Sequence, residues 1–128
     1  MQINIDMKKT LIVIFFLISF NTQAEEKKNN FTNEIFNKAQ TNGKIVVINS
    51  WQKTCLTCKK QIKILNQAKQ EFSDVLFLSY DQETETEIAN RLNIQYWTTI
   101  VIYKDNKEVY RSIGETNKNK ILLAIKSL

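Results

Sequence analysis

The segment NSWQKTCLTCKKQIKIL, Asn49 to Leu65, carries the chain's only two cysteines, Cys55 and Cys58. They directly follow an apolar run and directly precede a lysine-rich amphipathic segment. A pair so spaced has three chemical uses: a redox couple, half of a metal site, or a structural staple. Histidine is absent, which removes Cys–His and Ser–His nucleophile arrangements and every histidine-ligated metal site. Structural zinc takes four ligands, so a Cys₄ site would need a dimer of this chain. A disulfide that closes so short a loop constrains the unfolded chain very little. Thiol–disulfide exchange is the reading the residue types favour.

That chemistry depends on the elements around the pair. KIVVIN, ending at Asn49, is a β-branched run expected as a buried strand. Cys58, Ile62, Leu65, Ala68 and Phe72 then recur along one helical face, with Thr54 placed to cap the helix start. Cys55 therefore falls at a helix N-terminus, where unpaired N–H groups and the helix dipole favour a thiolate. Lys53, Lys59 and Lys60 add positive charge nearby. Cys58, one turn inside on the buried face, is shielded. An exposed attacking thiol with a shielded resolving thiol one turn away is what disulfide exchange requires.

The remaining elements follow from periodicity and turn residues. Phe31, Ile35, Phe36 and Ala39 recur at helical spacing, and Asn42-Gly43 stops that helix. VLFLSYD, Val75 to Asp81, is a second buried strand, and ETETEIANRL is a short helix with acidic residues in its first turn. TIVIYKDNKEVYRSI alternates into a hairpin turning at Lys104-Asp105-Asn106-Lys107. Gly114 precedes a closing amphipathic helix, NKNKILLAIKSL. The order α-β-α-β-α-β-β-α makes one α/β domain, with the first two strands joined by a helix and so parallel.

At 128 residues, with 43% hydrophobic and 24% charged side chains, the chain suits one globular domain with a real core. MKKTLIVIFFLISFNTQA, from Met7, has two lysines, an apolar run from Leu11 to Phe20, and a small residue at Ala24. It reads as a secretory leader spanning residues 1–24. The apolar run is too short to cross a bilayer, which takes about 20 residues. Residues 25–30 read as a charged tether and 31–128 as the domain. Export to the periplasm or beyond, after cleavage near Ala24, would permit disulfides. Without Lys8, Lys9 and Asp6 the balance is 16 basic against 12 acidic side chains. The lysines are scattered, so no nucleic-acid partner is expected.

VVINSWQKTCLTCKKQIKIL resembles the active-site strand and helix of the thioredoxin family, including Trp51 four positions before Cys55 and Lys59 directly after Cys58. NIQYWTTIVIYKDNKEV is similar to the family's later loop, strand, turn and strand, and Gly114 to the glycine before its last helix. The resemblance implies a thioredoxin-like fold, a central mixed β-sheet flanked by helices. It also implies a protein-disulfide oxidoreductase with Cys55 and Cys58 catalytic, no organic cofactor and no metal. Trp97 and Thr98 would form the substrate-docking loop, with Trp51, Lys59 and Asn49 in support; Trp51 is read as core packing beside the site in preference to a substrate contact, and Lys59 reads also as the wet face of its helix. Five positions depart from the family. Thr54 replaces its tryptophan, Leu56-Thr57 its Gly-Pro, Asn49 its buried acid, and Thr98 its cis-proline. A cis Trp97–Thr98 bond is expected from that last match, with the Trp97 backbone pairing an extended substrate. The expected direction is reductive, on exported protein thiols and disulfides, with a membrane electron donor. The alternative is a binding or chaperone-like module that turns over poorly.

Overall fold

The computed structural model describes residues 30–128; the expected leader, and all of the expected tether before Asn30, lie outside them. The described chain runs α1 (Asn33–Thr41), β1 (Val46–Trp51), α2 (Leu56–Glu71), β2 (Leu76–Asp81), α3 (Thr86–Arg91), β3 (Thr99–Lys104), β4 (Lys107–Ile113) and α4 (Lys118–Lys126). This is the expected order. The first strand runs two residues beyond its expected end at Asn49, through Ser50 to Trp51, and that extension matters to the site.

The sheet order is β2-β1-β3-β4. The β1–β2 pair is parallel, as a helical crossover demands, and β1–β3 and β3–β4 are antiparallel. The sheet is therefore mixed. β1 is paired along both edges and packed by helices on both faces, and Val46 to Ser50 are all buried.

Alternation along β1 divides the core in two. Val46 and Ile48 point to one face, packed with Phe31 and Phe36, Tyr80 of β2 and Ala89 of α3. Val47 points to the other, with Leu65 and Ala68 of α2, Ile100 and Ile102 of β3, and Ile121 and Ile125 of α4. Helices thus cover both faces. The expected hairpin turn is present, with Asp105 at φ 50° and Asn106 at φ 61°. Two successive left-handed residues match the right-handed twist of the strands, and Asn and Asp tolerate that conformation.

One surface cluster steadies the segment that leads to the site. Arg111 on β4 donates to the Leu92 and Asn93 carbonyls at the end of α3, at 2.9 and 3.0 Å, and to both carboxylate oxygens of Glu108, at 2.6 and 2.9 Å. The hydrogen bonds from Arg111 hold the Glu108 carboxyl below the usual 4.5. Its stabilising effect is therefore fully present above the ordinary carboxyl range and is lost as pH falls through the lower folded value. Glu108→Gln should lower stability at neutral pH by about 0.2–1 kcal/mol, the range for an exposed pair. Denaturant titrations of both proteins should show that gap closing as pH falls below the ordinary carboxyl range.

Candidate active site

The site begins where β1 ends. Trp51 is half-buried, and the chain then turns through Gln52, Lys53 and Thr54. Gln52 shapes this turn: its Oε1 accepts from the Thr54 N–H and from the Thr54 hydroxyl, both at 2.9 Å. Thr54 is thereby committed to Gln52 and does not cap the helix, contrary to expectation. Cys55 is the N-cap instead, with extended backbone (φ −78°, ψ 110°) and its Sγ accepting from the Cys58 N–H at 3.0 Å. The cap register is one residue later than the threonine suggested, and the sulfur itself occupies the position a capping oxygen would take.

The two cysteines form a disulfide, with Cα atoms 5.3 Å apart. They differ in access. Cys55 is half-exposed, whereas Cys58 is 1% exposed. Lys53, Lys59, Lys60 and Lys63 are all exposed around them; Lys59 is on the wet face of α2. Among the described residues, no group of three or more His, Cys, Asp or Glu is placed to hold a metal ion.

The loop before β3 corrects a further expectation. No peptide bond among the described residues is cis, so the Trp97–Thr98 bond is trans. Thr98 bends the chain by a positive φ of 71°. Without a proline ring, a cis bond loses the near-balance that makes it accessible, and the turn is made by a left-handed residue. For a β-branched side chain that conformation is strained and persists only where surroundings over-determine it. They do so here. The Thr98 N–H donates to the Ser50 carbonyl at 3.1 Å, and the Thr98 carbonyl accepts from the Gly114 N–H at 2.9 Å. Ser50, gained by the longer β1, adds a side-chain clamp. Its hydroxyl donates to the Tyr96 carbonyl at 2.9 Å and accepts from the Thr99 N–H at 3.3 Å.

Trp97, between these anchored residues, is 47% exposed. Among the described residues neither its N–H nor its carbonyl has a backbone partner. Exposed apolar side chains flank the same features. Leu56 follows Cys55, Tyr96 precedes Trp97, and Ile113 pairs with Thr99 across β3–β4.

Asn49 is 1% exposed, on the α2 side of β1. Its Nδ2 donates to Gln61 Oε1 at 3.3 Å, while its Oδ1 has no partner among the described residues. Gln61 is fully buried on α2, where Ile62 was expected to face the core; Ile62 is only half-buried. Spacings of three and four residues both follow a helical face from Cys58, so the pattern admitted either position. Gln61, Ser50 and Gln52 went unread because polar residues are ordinarily assigned to solvent. The one available signal was a glutamine inside the span of an apolar stripe.

The fold, and a Cys-x-x-Cys pair leaving a central strand at a helix N-terminus, define a thioredoxin-type protein. The family model described as Thioredoxin matches residues 22–127, and the chain belongs to that family. It is 34% identical over 79 residues to the thioredoxin of Mycoplasma genitalium, covering 62% of this chain and 78% of that protein. The structure is similar to mitochondrial thioredoxin 3 from Saccharomyces cerevisiae in its oxidized form (TM-score 0.70, 24% identity, 80% of this chain and 97% of that one). It is also similar to Trxlp from Edwardsiella tarda (TM-score 0.70, 23% identity, 73% and 93%). The protein is a thioredoxin-type protein-disulfide oxidoreductase, with Cys55 and Cys58 as its Cys-x-x-Cys pair.

The neutrality of Asn49 has a testable consequence. An aspartate there would be buried and would face the Gln61 Oε1 acceptor, and both effects raise a carboxyl pKa. A raised folded-state value means stability is retained below the unfolded carboxyl pKa and falls as pH rises toward the folded one. Asn49→Asp should match the parent in acid and lose about 1.4 kcal/mol by neutral pH for each unit of elevation. Thermal melts across that pH range should show the divergence.

Proposed function

We propose that the protein is an exported reductase of disulfides in other exported proteins, with Cys55 as attacking nucleophile and Cys58 as resolving thiol. The observation that carries this reading is the difference in access within one helical turn. Cys55 is half-exposed at the helix N-terminus, and Cys58 is buried. In the reduced protein, the Cys55 thiolate attacks one sulfur of a substrate disulfide and releases the other as a thiolate, which takes up a proton. Cys58 then gives up its proton and attacks Cys55 Sγ, which releases the second substrate thiol and leaves the Cys55–Cys58 disulfide. Two electrons pass to the substrate, and an external dithiol must return them. A membrane electron donor would do so, and no organic cofactor takes part.

Trp97 and Thr98 form the docking loop in this reading. Anchoring of Thr98 on both sides leaves the Trp97 N–H and carbonyl to pair an extended substrate segment as an added strand, with Leu56, Tyr96 and Ile113 offering apolar contact. The reductive direction is supported by the bare order of the described elements, which carry no helical domain inserted between β2 and β3. Export is supported by the leader-like segment from Met7 to Ala24 and by compartments that tolerate disulfides.

The Cys58→Ser variant, expressed with its own leader, tests the scheme. It should be recovered outside the cytoplasm with Glu25 as its first residue and with partner proteins bound through Cys55 by bonds that a reductant breaks. Cys55→Ser should trap nothing. A Cys58→Ser chain that carries no reducible adducts would contradict the exchange mechanism, and an intact Met1 or Met7 start would contradict export by cleavage.

A further inference from the structure

We infer that Gln61 is the positioning residue of the docking loop, the side chain through which the cysteine-bearing helix holds Thr98 in its left-handed conformation. The inference rests on the reading of Trp97 and Thr98 as the site where substrate docks.

Gln61 lies one turn past Cys58 on the same face of α2 and has no exposed surface. Both hydrogens of its amide are committed: Nε2 donates to the Thr98 carbonyl and to the Glu115 carbonyl, each at 3.0 Å. Its Oε1 accepts from Asn49 Nδ2. The two carbonyls set the orientation of the carboxamide, because only the nitrogen end can face them. That orientation in turn makes Asn49 present its nitrogen to Gln61, which leaves Asn49 Oδ1 without a partner. A buried unpaired acceptor costs free energy. Its persistence indicates that the contacts to Thr98 and Glu115 govern the network.

One side chain thereby joins three things a docking step must keep in register: the helix that carries Cys55 and Cys58, the strained Thr98, and the Gly114–Glu115 turn. The Gly114 N–H already bonds the Thr98 carbonyl, so that oxygen is fixed from two directions. A proline would restrain the loop covalently; here the restraint is the buried amide. Loss of the amide donor frees Thr98 to relax toward negative φ. The Trp97 backbone then leaves the orientation that an incoming strand requires, while the Cys55–Cys58 pair itself is untouched.

The test compares wild type with Gln61→Met, similar in length but unable to donate. Two disulfides serve as probes: insulin, which must lie along the loop, and dithiobis(nitrobenzoate), which is too small to do so. Amide exchange of Thr98 and Gly114 is followed in parallel. The expected result is a KM for insulin raised about tenfold, the order of one or two lost hydrogen bonds. The kcat and the rate with the small disulfide should change less than about twofold, and exchange at Gly114 should accelerate. An unchanged insulin KM with unchanged exchange overturns the inference. So does an equal loss on both probes, which would mark a general structural role. If Gln61→Met does not fold, the double variant Asn49→Leu, Gln61→Met also removes the Asn49 amide that the single change leaves buried without a partner, so that only the Thr98 and Glu115 carbonyls lose a donor, and is read in the same way. If wild type reduces neither probe, the docking reading fails on its own. The role of Gln61 is then decided by exchange alone, acceleration at Thr98 and Gly114 upholding it and unchanged exchange overturning it.

Discussion

The first turn of α2 exposes backbone N–H groups that no carbonyl of the helix can reach, and the one on Cys58 points at Cys55 Sγ, 3.0 Å away. This contact makes the sulfur of Cys55 both helix cap and reactive atom. An acceptor is most favoured there when it carries negative charge, since the helix dipole and the free N–H groups both stabilise an anion. The same geometry places Cys58 one turn deeper, where burial shields it. Asymmetry within the pair therefore comes from where a helix starts, and β1 sets that start by delivering the chain out of the sheet at Trp51. The mixed sheet and the two helical layers serve chiefly to hold that exit still.

Around the pair lies a frame built from the neutral side chains of Asn49, Ser50 and Gln61. Asn49 and Gln61 pair behind the cysteines, and Ser50 and Gln61 grip the loop at Thr98 from opposite sides. Elsewhere in the family, by the resemblance of the sequence, an acid stands at Asn49 and a proline at Thr98. Both replacements act in one direction. Proton handling by a buried carboxyl is given up, and covalent rigidity gives way to buried amide and hydroxyl contacts. Such contacts are strong inside a low-dielectric interior when fully satisfied. They also make loop geometry depend on α2, the same element that carries the reacting sulfurs.

The cysteines were legible in the sequence because their chemistry needs only local facts: two thiols one turn apart, a β-branched strand before them and an apolar helical stripe after them. The hairpin was legible for a similar reason, since Asp105-Asn106 suits left-handed backbone and little else explains it there. The frame was not. Ser50 and Gln61 are polar residues whose burial depends on partners 46 and 37 positions away, and no local pattern encodes such distant pairings. Thr54 misled because a good capping residue stands one position early, and its hydroxyl goes to Gln52. Thr98 misled because a match to a proline suggested the proline's isomer, whereas a threonine reaches the turn by changing φ.

Cys55 and Cys58 form the Cys-x-x-Cys pair, and the proposed reductase requires it to be a reversible couple poised to give up electrons. Equilibrating the protein in glutathione buffers of graded poise, and measuring the dithiol fraction at each, tests it most directly. A single two-electron transition at about −270 mV, the region of thioredoxin, is expected. A transition at about −120 mV, in the range of strong oxidants, would reverse the direction of electron flow. The absence of any reversible transition would contradict the oxidoreductase assignment itself.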